Sequence, residues 1–241
     1  MSGLKVIVVG ASSGLGAELT RLLVGRGDTV AALARRTERL EELRKDLGER
    51  LLPIAHDVTD FDAVPQLFQD VCHQLGGLDL IIYCAGVMPD VGPTEFSFAK
   101  DQSMIDVNIT GAVAWLNEAA TRFQNTKHGT IVGIGSVAGE RGRQGQPVYN
   151  MSKAALKSYL ESLRNRLSKY GVKVVTIKPG PIATEMTAHL SIKGAMSAHD
   201  AAQLIVKKMN RGNEHYLKFA HKIAFMIIRN FPSGIFRRLK V

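Results

Sequence analysis

The sequence has few cysteines and few aromatic residues: two cysteines, one tryptophan and an aromatic fraction of 6% in 241 residues. Cys72 and Cys84 form no CxxC pair, so we exclude a disulfide scaffold and expect a reducing compartment. The seven histidines show no HExxH or similar ligand spacing, so we expect no metal site. A chain of this length can bury enough apolar surface to fold without either kind of cross-link.

Long apolar runs are missing too. The best candidate, residues 223–228, falls far short of the ~20 residues that a membrane-spanning helix requires. The N-terminus shows no signal peptide, because a strand-like run already begins at Leu4. We therefore expect a cytoplasmic protein.

Acidic residues are outnumbered, with 22 Asp and Glu against 31 Lys and Arg and a formal net charge of +9. Because the sequence has no recognition motif or aromatic stacking platform, we expect no nucleic-acid binding.

Much of the excess charge lies in a tail, residues 218–241, that mixes apolar positions with Lys and Arg. Such a basic amphipathic segment either makes peripheral contact with an anionic membrane or packs as a helix on the protein or on a second copy.

Apolar runs rich in β-branched residues alternate with longer stretches of helical periodicity. We predict strands over 4–9, 29–34, 51–56, 78–83, 129–135, 172–178 and, more weakly, 216–219. We predict helices over 14–27, 37–47, 61–75, 101–123, 147–170 and 197–210. The strands are apolar throughout, as in sheets that helices cover on both faces. The sequence therefore predicts a single α/β domain over 1–241, with a Rossmann-like, doubly wound parallel sheet.

The first predicted strand runs into a glycine-rich turn that opens a helix. Glycines let the backbone approach a pyrophosphate closely, and the helix N-terminus offers unpaired N–H groups. A plain tight turn is the alternative, but it would not need three glycines in seven residues. We predict a dinucleotide site that includes Gly10, Ser12, Ser13, Gly14, Leu15 and Gly16.

The second predicted strand ends in Arg35-Arg36, without a carboxylate. Guanidinium groups pair with the 2′-phosphate of NADP(H), whereas NAD(H) sites place an acid on the ribose. We therefore expect NADP(H) to be preferred, with NAD(H) possible; the alternative is that one arginine simply begins a solvated helix. After the third strand, Asp57 and Val58 are predicted to contact the adenine.

Ser136 closes the fifth predicted strand, and Tyr149 opens a helix that also carries Lys153. The i to i+4 spacing places the phenol and the amine on one helical face. A phenol pKa of about 10 is too high for proton transfer at neutral pH, so we expect the Lys153 ammonium to lower it. A lone YxxxK pair usually lies on the surface, but its combination with the serine and the upstream turn predicts a carbonyl/alcohol redox site.

These motifs resemble the short-chain dehydrogenase/reductase family, of the compact single-domain type, over nearly all of residues 4–185. The resemblance implies that Tyr149 is the general acid and base, that Lys153 lowers its pKa and binds the nicotinamide ribose, and that Ser136 polarises the substrate carbonyl. It also implies that the backbone carbonyl of Asn108, in Val107-Asn108-Ile109-Thr110-Gly111, holds a water of a proton relay.

Further cofactor contacts follow from the resemblance alone: Ala85, Gly86, Pro179, Gly180, Ile182 and Thr184. Ile182 and Thr184 would orient the nicotinamide carboxamide. The sequence departs from the family where Tyr83-Cys84 replaces two asparagines, which puts local packing in doubt. The glycine-rich turn also carries no basic residue, so the NADP(H) preference rests on Arg35 and Arg36.

Residues 185–196 lie where relatives carry a substrate-covering loop, with Met88, Arg141, Arg143 and Gln146 around the opening. We expect a small-molecule carbonyl or alcohol substrate of apolar character. Relatives pack the two long helices, here 101–123 and 147–170, against a second copy, so we expect a homodimer or homotetramer.

The leading hypothesis is an NADP(H)-dependent oxidoreductase that interconverts a carbonyl and a secondary alcohol. The alternative is a non-catalytic NADP(H)-binding regulatory or scaffold protein. The intact set of Asn108, Ser136, Tyr149 and Lys153 argues against this alternative, because a non-catalytic relative could lose those side chains freely.

Overall fold

Parallel strands form the centre of the structure. The computed structural model describes residues 3–190, 192–211 and 213–238. The strands are β1 (Lys5–Val9), β2 (Thr29–Ala34), β3 (Leu51–Ala55), β4 (Leu80–Tyr83), β5 (Thr130–Ile134), β6 (Lys173–Lys178), β7 (Ile182–Ala183), β8 (Met196–Ser197) and β9 (Glu214–Tyr216). Within the described residues, seven strands pair in the order β3-β2-β1-β4-β5-β6-β9, while β7 pairs with β8.

Helices cover both faces of the main sheet. They are α1 (Gly14–Gly25), α2 (Thr37–Leu47), α3 (Val64–Leu75), α4 (Phe98–Ile105), α5 (Gly111–Thr126), α6 (Pro147–Leu167), α7 (Ala198–Lys208), α8 (Phe219–Asn230) and α9 (Ser233–Phe236). Buried residues of α1, α2 and α7 form one apolar core, and those of α3, α5 and α6 form the other. The Rossmann-like doubly wound fold is confirmed.

Strand β1 shows why the central strands have no alternating polar positions. Ile7 and Val9 belong to one core, and Val6 and Val8 belong to the other. None of the four is exposed to solvent. Because both faces of the sheet are covered, every position of such a strand must be apolar.

Two predicted elements differ from the structure. The predicted helix 101–123 is divided into α4, a π-helical turn (Asp106–Thr110) and α5. The predicted strand 216–219 is wrong in position, because β9 ends at Tyr216 and α8 begins at Phe219. The pairing of β9 with β6 aligns Glu214 with Thr176, so a long-range contact determines where this strand lies.

The C-terminal tail folds back onto the rest of the chain as α8 and α9, while residues 239–241 lie outside the described part. Arg141 anchors it: Nη1 is 2.6 Å from the carbonyl oxygens of Ile228 and Phe231, and the guanidinium lies 4.0 Å from the ring centre of Phe236. These contacts support a single domain over 1–241, which we propose. No helix among the described residues is both long enough and apolar enough to span a bilayer.

Candidate active site

A cavity of about 560 Å³ opens at the carboxyl ends of the central strands, near the reversal of strand order between β1 and β4. Open α/β sheets bind ligands at this edge. Most residues assigned to the site from sequence line the cavity: Gly10, Ser12, Ser13, Gly14, Leu15, Gly16, Arg35, Arg36, Val58, Ala85, Gly86, Ser136, Tyr149, Lys153, Pro179, Gly180, Ile182 and Thr184. Asp57 and Asn108 do not line it.

The turn between β1 and α1 is tight at its glycines. A Cβ at Gly16 would stand 1.9 Å from the carbonyl oxygen of Gly10, and one at Gly10 would stand 2.5 Å from the nitrogen of Ala85. The N-cap residue of α1, Ser13, makes no side-chain capping bond, and the first turn contains no acid. Its N–H groups are therefore available to an anion, which fits the pyrophosphate of a dinucleotide.

Arg36 lies beside this turn. Its Nη2 is 2.5 Å from Oγ of Ser13, and its Nε is 3.3 Å from Oγ of Ser12. Glu185, which follows β7, binds Nη1 of Arg36 at 2.9 Å and Nη1 of Arg39 at 2.5 Å. Arg39 escaped the sequence analysis, because only the fold brings Glu185 to α2.

Arg35 and Asp57 face each other, with Nη1 and Oδ2 separated by 3.7 Å. The other carboxylate oxygen of Asp57 accepts hydrogen bonds from the backbone and side chain of Thr59, at 3.0 and 2.8 Å. Asp57 thus shapes the loop after β3, while its neighbour Val58 lines the cavity.

Ser136, Tyr149 and Lys153 meet on one wall of the cavity. Lys153 donates from Nζ to the carbonyl oxygen of Ile134 at 3.1 Å, and the same nitrogen lies 5.7 Å from the centre of the Tyr149 ring. Oγ of Ser136 accepts a hydrogen bond from the N–H of Ala138 at 3.0 Å. Its own hydrogen is then free to bond to the phenol oxygen.

Burial governs the acidity of both titratable groups. It raises the pKa of Tyr149, while the hydrogen bond with Ser136 and the charge of Arg143 act in the opposite direction. It lowers the pKa of Lys153 to about 8, because the neutral amine is favoured away from water. In this structure the amine donates to Ile134, and loss of hydration dominates at the phenol. That Lys153, together with a positively charged nicotinamide, lowers the pKa of Tyr149 stays a prediction.

Asn108 lies behind Lys153, buried in the π-helical turn Asp106–Thr110. Its Oδ1 accepts from the N–H of Val87 at 2.8 Å, and its Nδ2 donates to the carbonyl of Val87 at 3.0 Å. A Cβ at Gly86 would stand 3.3 Å from Oδ1 of Asn108 and 3.5 Å from Nζ of Lys153, so the two side chains approach the same point. Single π-helical turns recur at functional sites.

Tyr83 and Cys84, which replace the two asparagines of the family at the end of β4, pack closely. The buried hydroxyl of Tyr83 donates to the carbonyl oxygen of Val107 at 2.6 Å, and a Cβ at Gly111 would stand 2.7 Å from this hydroxyl. Burial raises the pKa of the Cys84 thiol to about 12. Tyr83 therefore joins β4 to the π-helical turn, which settles the doubt about local packing.

Comparison with known proteins agrees with this geometry. The family model described as short chain dehydrogenase matches residues 4–194. An uncharacterized oxidoreductase of Myxococcus xanthus is 37% identical over 218 residues, covering 88% of this chain and 86% of that protein. This chain belongs to the short-chain dehydrogenase family. It is an NAD(P)-dependent dehydrogenase/reductase, as the sequence predicts.

Solved structures of short-chain dehydrogenases share the fold. One from Burkholderia cenocepacia, in complex with NADP, has a TM-score of 0.86 at 23% identity and covers 100% of this chain and 98% of that one. The closed form of a serine dehydrogenase complexed with NADP+ has a TM-score of 0.81 at 26% identity, covering 88% of this chain and 93% of that one.

In this short-chain dehydrogenase the C-terminal tail forms part of the cavity wall. His221 and Phe225 of α8 line it, together with Met186 and Thr187 of the segment after β7. A Cβ at Gly180 would stand 2.1 Å from the His221 ring, so α8 packs directly on the turn after β6. The sequence analysis missed His221 and Phe225 because it treated the tail as separate from the site. The shortness of 185–196 in the sequence was the signal, since a short substrate-covering loop leaves room for another element at the site.

The tight turn predicts that alanine substitutions at two glycines of α1 change the stability of the fold very differently. Gly16→Ala would force the turn apart and should destabilise the fold by about 1–3 kcal/mol, lowering the melting temperature by roughly 2–4 °C per kcal/mol. Gly25 has no atom within 4 Å of its would-be Cβ, so Gly25→Ala should be neutral or stabilise by up to about 1 kcal/mol. Thermal denaturation of both variants measures the difference, and equal melting temperatures would contradict the described turn.

Proposed function

We propose that this dehydrogenase interconverts a carbonyl and a secondary alcohol, with NADP(H) as its preferred cofactor. The observation that carries the proposal is the meeting of Ser136, Tyr149 and Lys153 on one wall of the cavity, next to the glycine-rich turn. We propose Asn108, Ser136, Tyr149 and Lys153 as the catalytic set.

Each side chain has a role that follows from its position. Tyr149 donates its proton to the carbonyl oxygen during reduction and takes it back from the hydroxyl during oxidation. Burial keeps it protonated at neutral pH, while the hydrogen bond with Ser136 and the charge of Arg143 lower its pKa and so favour release of the proton. Ser136 donates a hydrogen bond to the same oxygen. A nicotinamide bound in the cleft would supply or accept the hydride, so reduction adds one hydride and one proton to the carbonyl.

Lys153 and Asn108 serve proton supply and orientation. With a pKa of about 8, Lys153 exchanges protons near neutral pH. We propose that a water held by the backbone carbonyl of Asn108 connects Lys153 to solvent, and that Lys153 also binds the nicotinamide ribose. The hydrogen bonds between Asn108 and Val87 hold the π-helical turn against the loop after β4.

Tyr149→Phe removes the proton donor but keeps the ring. We expect the rate of carbonyl reduction to fall by about 10²–10⁴-fold, while the affinity for NADPH changes by less than about threefold. Loss of NADPH absorbance over a panel of carbonyls and fluorescence titration of NADPH measure the two effects.

Tyr159→Phe is the matched control, because the Tyr159 hydroxyl also lies on α6 but bonds to Asn117 at 2.8 Å, away from the cavity. It should retain full turnover. A Tyr149→Phe variant as active as this control would overturn the proposed mechanism. A non-catalytic regulatory role instead requires that the wild type show no turnover; the intact catalytic set does not favour it.

The NADP(H) preference rests on the surroundings of the glycine-rich turn. We propose that the 2′-phosphate binds Arg36 together with the hydroxyls of Ser12 and Ser13, which already lie within 3.3 Å of its guanidinium. The strand β2 ends without an acid that would hold a free 2′-hydroxyl. The serine dehydrogenase that is 26% identical is complexed with NADP+, which supports the same preference here.

The remaining cofactor contacts belong to the same proposal. Asp57 and Val58 would lie at the adenine, and Ile182 and Thr184 at the nicotinamide carboxamide. The other proposed contacts with the cofactor are Gly10, Gly14, Leu15, Gly16, Arg35, Ala85, Gly86, Pro179 and Gly180.

Arg36→Ala should lower the affinity for NADPH much more than the affinity for NADH. Loss of a charge-assisted pair with the phosphate should weaken NADPH binding by roughly 10–100-fold and leave NADH binding within about threefold.

Glu185→Gln should strengthen NADPH binding, because it removes a carboxylate that competes for Arg36. Calorimetric titration of the wild type and both variants with NADPH and with NADH measures the dissociation constants. An equal loss of affinity for NADPH and NADH in Arg36→Ala would contradict the assignment.

We propose that the protein forms a homodimer or homotetramer through α4, α5 and α6. Three large apolar side chains near these helices are exposed: Phe96 at 94%, Phe98 at 75% and Met151 at 45%. Burial of such side chains against a second copy removes apolar surface from water.

We also propose that the protein acts in the cytoplasm and that the outer face of α8 makes peripheral contact with anionic membranes. Phe219, Ile223, Met226 and Ile227 are exposed on this helix. Residues 215–238 contain no acid, while Lys222 and Arg229 lie on α8 itself. A helix with an exposed apolar face and flanking cations is suited to an anionic lipid surface.

Vesicle sedimentation tests this contact. The protein should bind vesicles that contain phosphatidylglycerol, less so at high salt, and should bind pure phosphatidylcholine weakly. The double variant Ile223→Glu/Ile227→Glu should lose binding, whereas Gln66→Glu/Gln69→Glu, which adds the same charge at exposed positions of α3, should retain it. Absence of binding to the anionic vesicles would exclude the membrane contact.

A further inference from the structure

Arg143 lies in the loop between the 3-10 segment Val137–Glu140 and α6, and it lines the cavity. Its Nη2 donates to Oδ1 of Asn150 at 3.1 Å, while Nδ2 of Asn150 donates to the carbonyl oxygen of Gly145 at 2.9 Å. Asn150 is 2% exposed. Both the loop and the guanidinium are therefore held by one buried side chain.

The charge of Arg143 has no matching carboxylate. Among the described residues no acid forms an ion pair with it, and its Nε is buried without a hydrogen-bond partner. The one acid in the cavity wall, within the described part of the chain, is Glu185, which binds Arg36 and Arg39 instead. A buried donor of a charged group is costly when it stays unpaired.

Two neutral polar atoms in the same wall are also buried without partners, Oε1 of Gln146 and Nδ1 of His221. Apolar side chains, among them Met88 and Phe225, line the cavity as well. This combination does not suit a purely apolar substrate. It suits an amphipathic one with a polar end at Arg143.

Arg143 is also close to the proposed proton donor, because its guanidinium bonds to Asn150, the residue that follows Tyr149, and both Arg143 and Tyr149 line the cavity. In agreement with this geometry, its charge lowers the pKa of Tyr149 against the dominant effect of burial. A group held by Arg143 would therefore lie a short distance from the carbonyl that Tyr149 protonates.

We propose that Arg143 binds a carboxylate of the substrate, so that the enzyme acts on oxo acids and the corresponding hydroxy acids rather than on neutral ketones. A guanidinium matches a carboxylate through two parallel hydrogen bonds. One guanidinium matches the single charge of this group, and Nδ1 of His221 can donate to it in the tautomer that carries the proton there. Oε1 of Gln146 only accepts, so it suits the hydroxyl of a hydroxy acid and not the carboxylate. The proposal rests on the proposed carbonyl/alcohol chemistry, and it differs from the expectation of an apolar substrate.

Matched substrates test the assignment. Short straight-chain 2-oxo and 3-oxo acids and their methyl esters are reduced with NADPH by the wild type, Arg143→Gln and Arg143→Lys. The wild type should prefer at least one acid over its ester by about 10²-fold in kcat/KM, and Arg143→Gln should remove this preference mainly through KM. The ester should change by less than about threefold, and Arg143→Lys should restore part of the preference. Arg50→Gln, whose guanidinium bonds to the carbonyl of Gly27, is the control.

Two outcomes would overturn the proposal. One is that Arg143→Gln lowers kcat/KM equally for the acids and for their esters. The other is a shifted pH profile for both substrates with unchanged selectivity, which would assign Arg143 to the acidity of Tyr149 instead.

A binding measurement keeps this inference separate from the proposed catalysis. Each hydroxy acid and its methyl ester are titrated calorimetrically into the protein saturated with NADPH, a combination that cannot react. Stronger binding of the acid that disappears in Arg143→Gln supports the carboxylate site even if Tyr149→Phe disproves the mechanism. Equal binding of acid and ester by the wild type overturns it.

Discussion

The arrangement of the active site depends on one hydrogen bond, from Nζ of Lys153 to the carbonyl oxygen of Ile134. It fixes α6 against the end of β5, so that Tyr149, one turn before Lys153, reaches Ser136, two residues after Ile134. The contact is tight: a Cβ at Gly139 would stand 2.6 Å from the carbonyl of Lys153. Because the amine is buried, the bond also compensates part of the cost of removing a charged group from water.

Charged groups of the structure fall into two kinds. Lys178 is buried, but it lies 2.7 Å from Glu140 and 2.5 Å from Glu214, so its charge is matched within the protein. Arg143 is held in place by a neutral amide and is matched by no acid of the described chain. A fold can keep a buried cation that is matched by acids, such as Lys178, for stability. A partly buried cation that no acid matches, such as Arg143, is more readily explained by a ligand.

The C-terminal tail contacts both the loop that carries Arg143 and the cavity. Arg141 fixes α8 and α9 to the loop that also carries Arg143, and α8 contributes His221 and Phe225 to the cavity. Met186 and Thr187, of the segment after β7, line the cavity beside them. The same helix therefore closes the site on its inner side and leaves apolar side chains exposed on its outer side.

Local sequence was sufficient for the elements whose signals are local. Apolar runs gave the central strands, the glycine spacing gave the turn after β1, and the i to i+4 spacing placed Tyr149 and Lys153 on one helical face.

Local sequence was not sufficient where contacts between distant segments decide the structure. The position of β9 follows from pairing with β6, the direction of the Tyr149 pKa shift follows from burial, and the pairing of Glu185 with Arg36 and Arg39 joins residues almost 150 positions apart. The sequence alone thus determined the fold class and the candidate reacting groups, because periodicity and spacing are properties of neighbouring residues. Only the tertiary structure decided which polar atoms lose water without gaining a partner, because desolvation depends on every segment that packs around them.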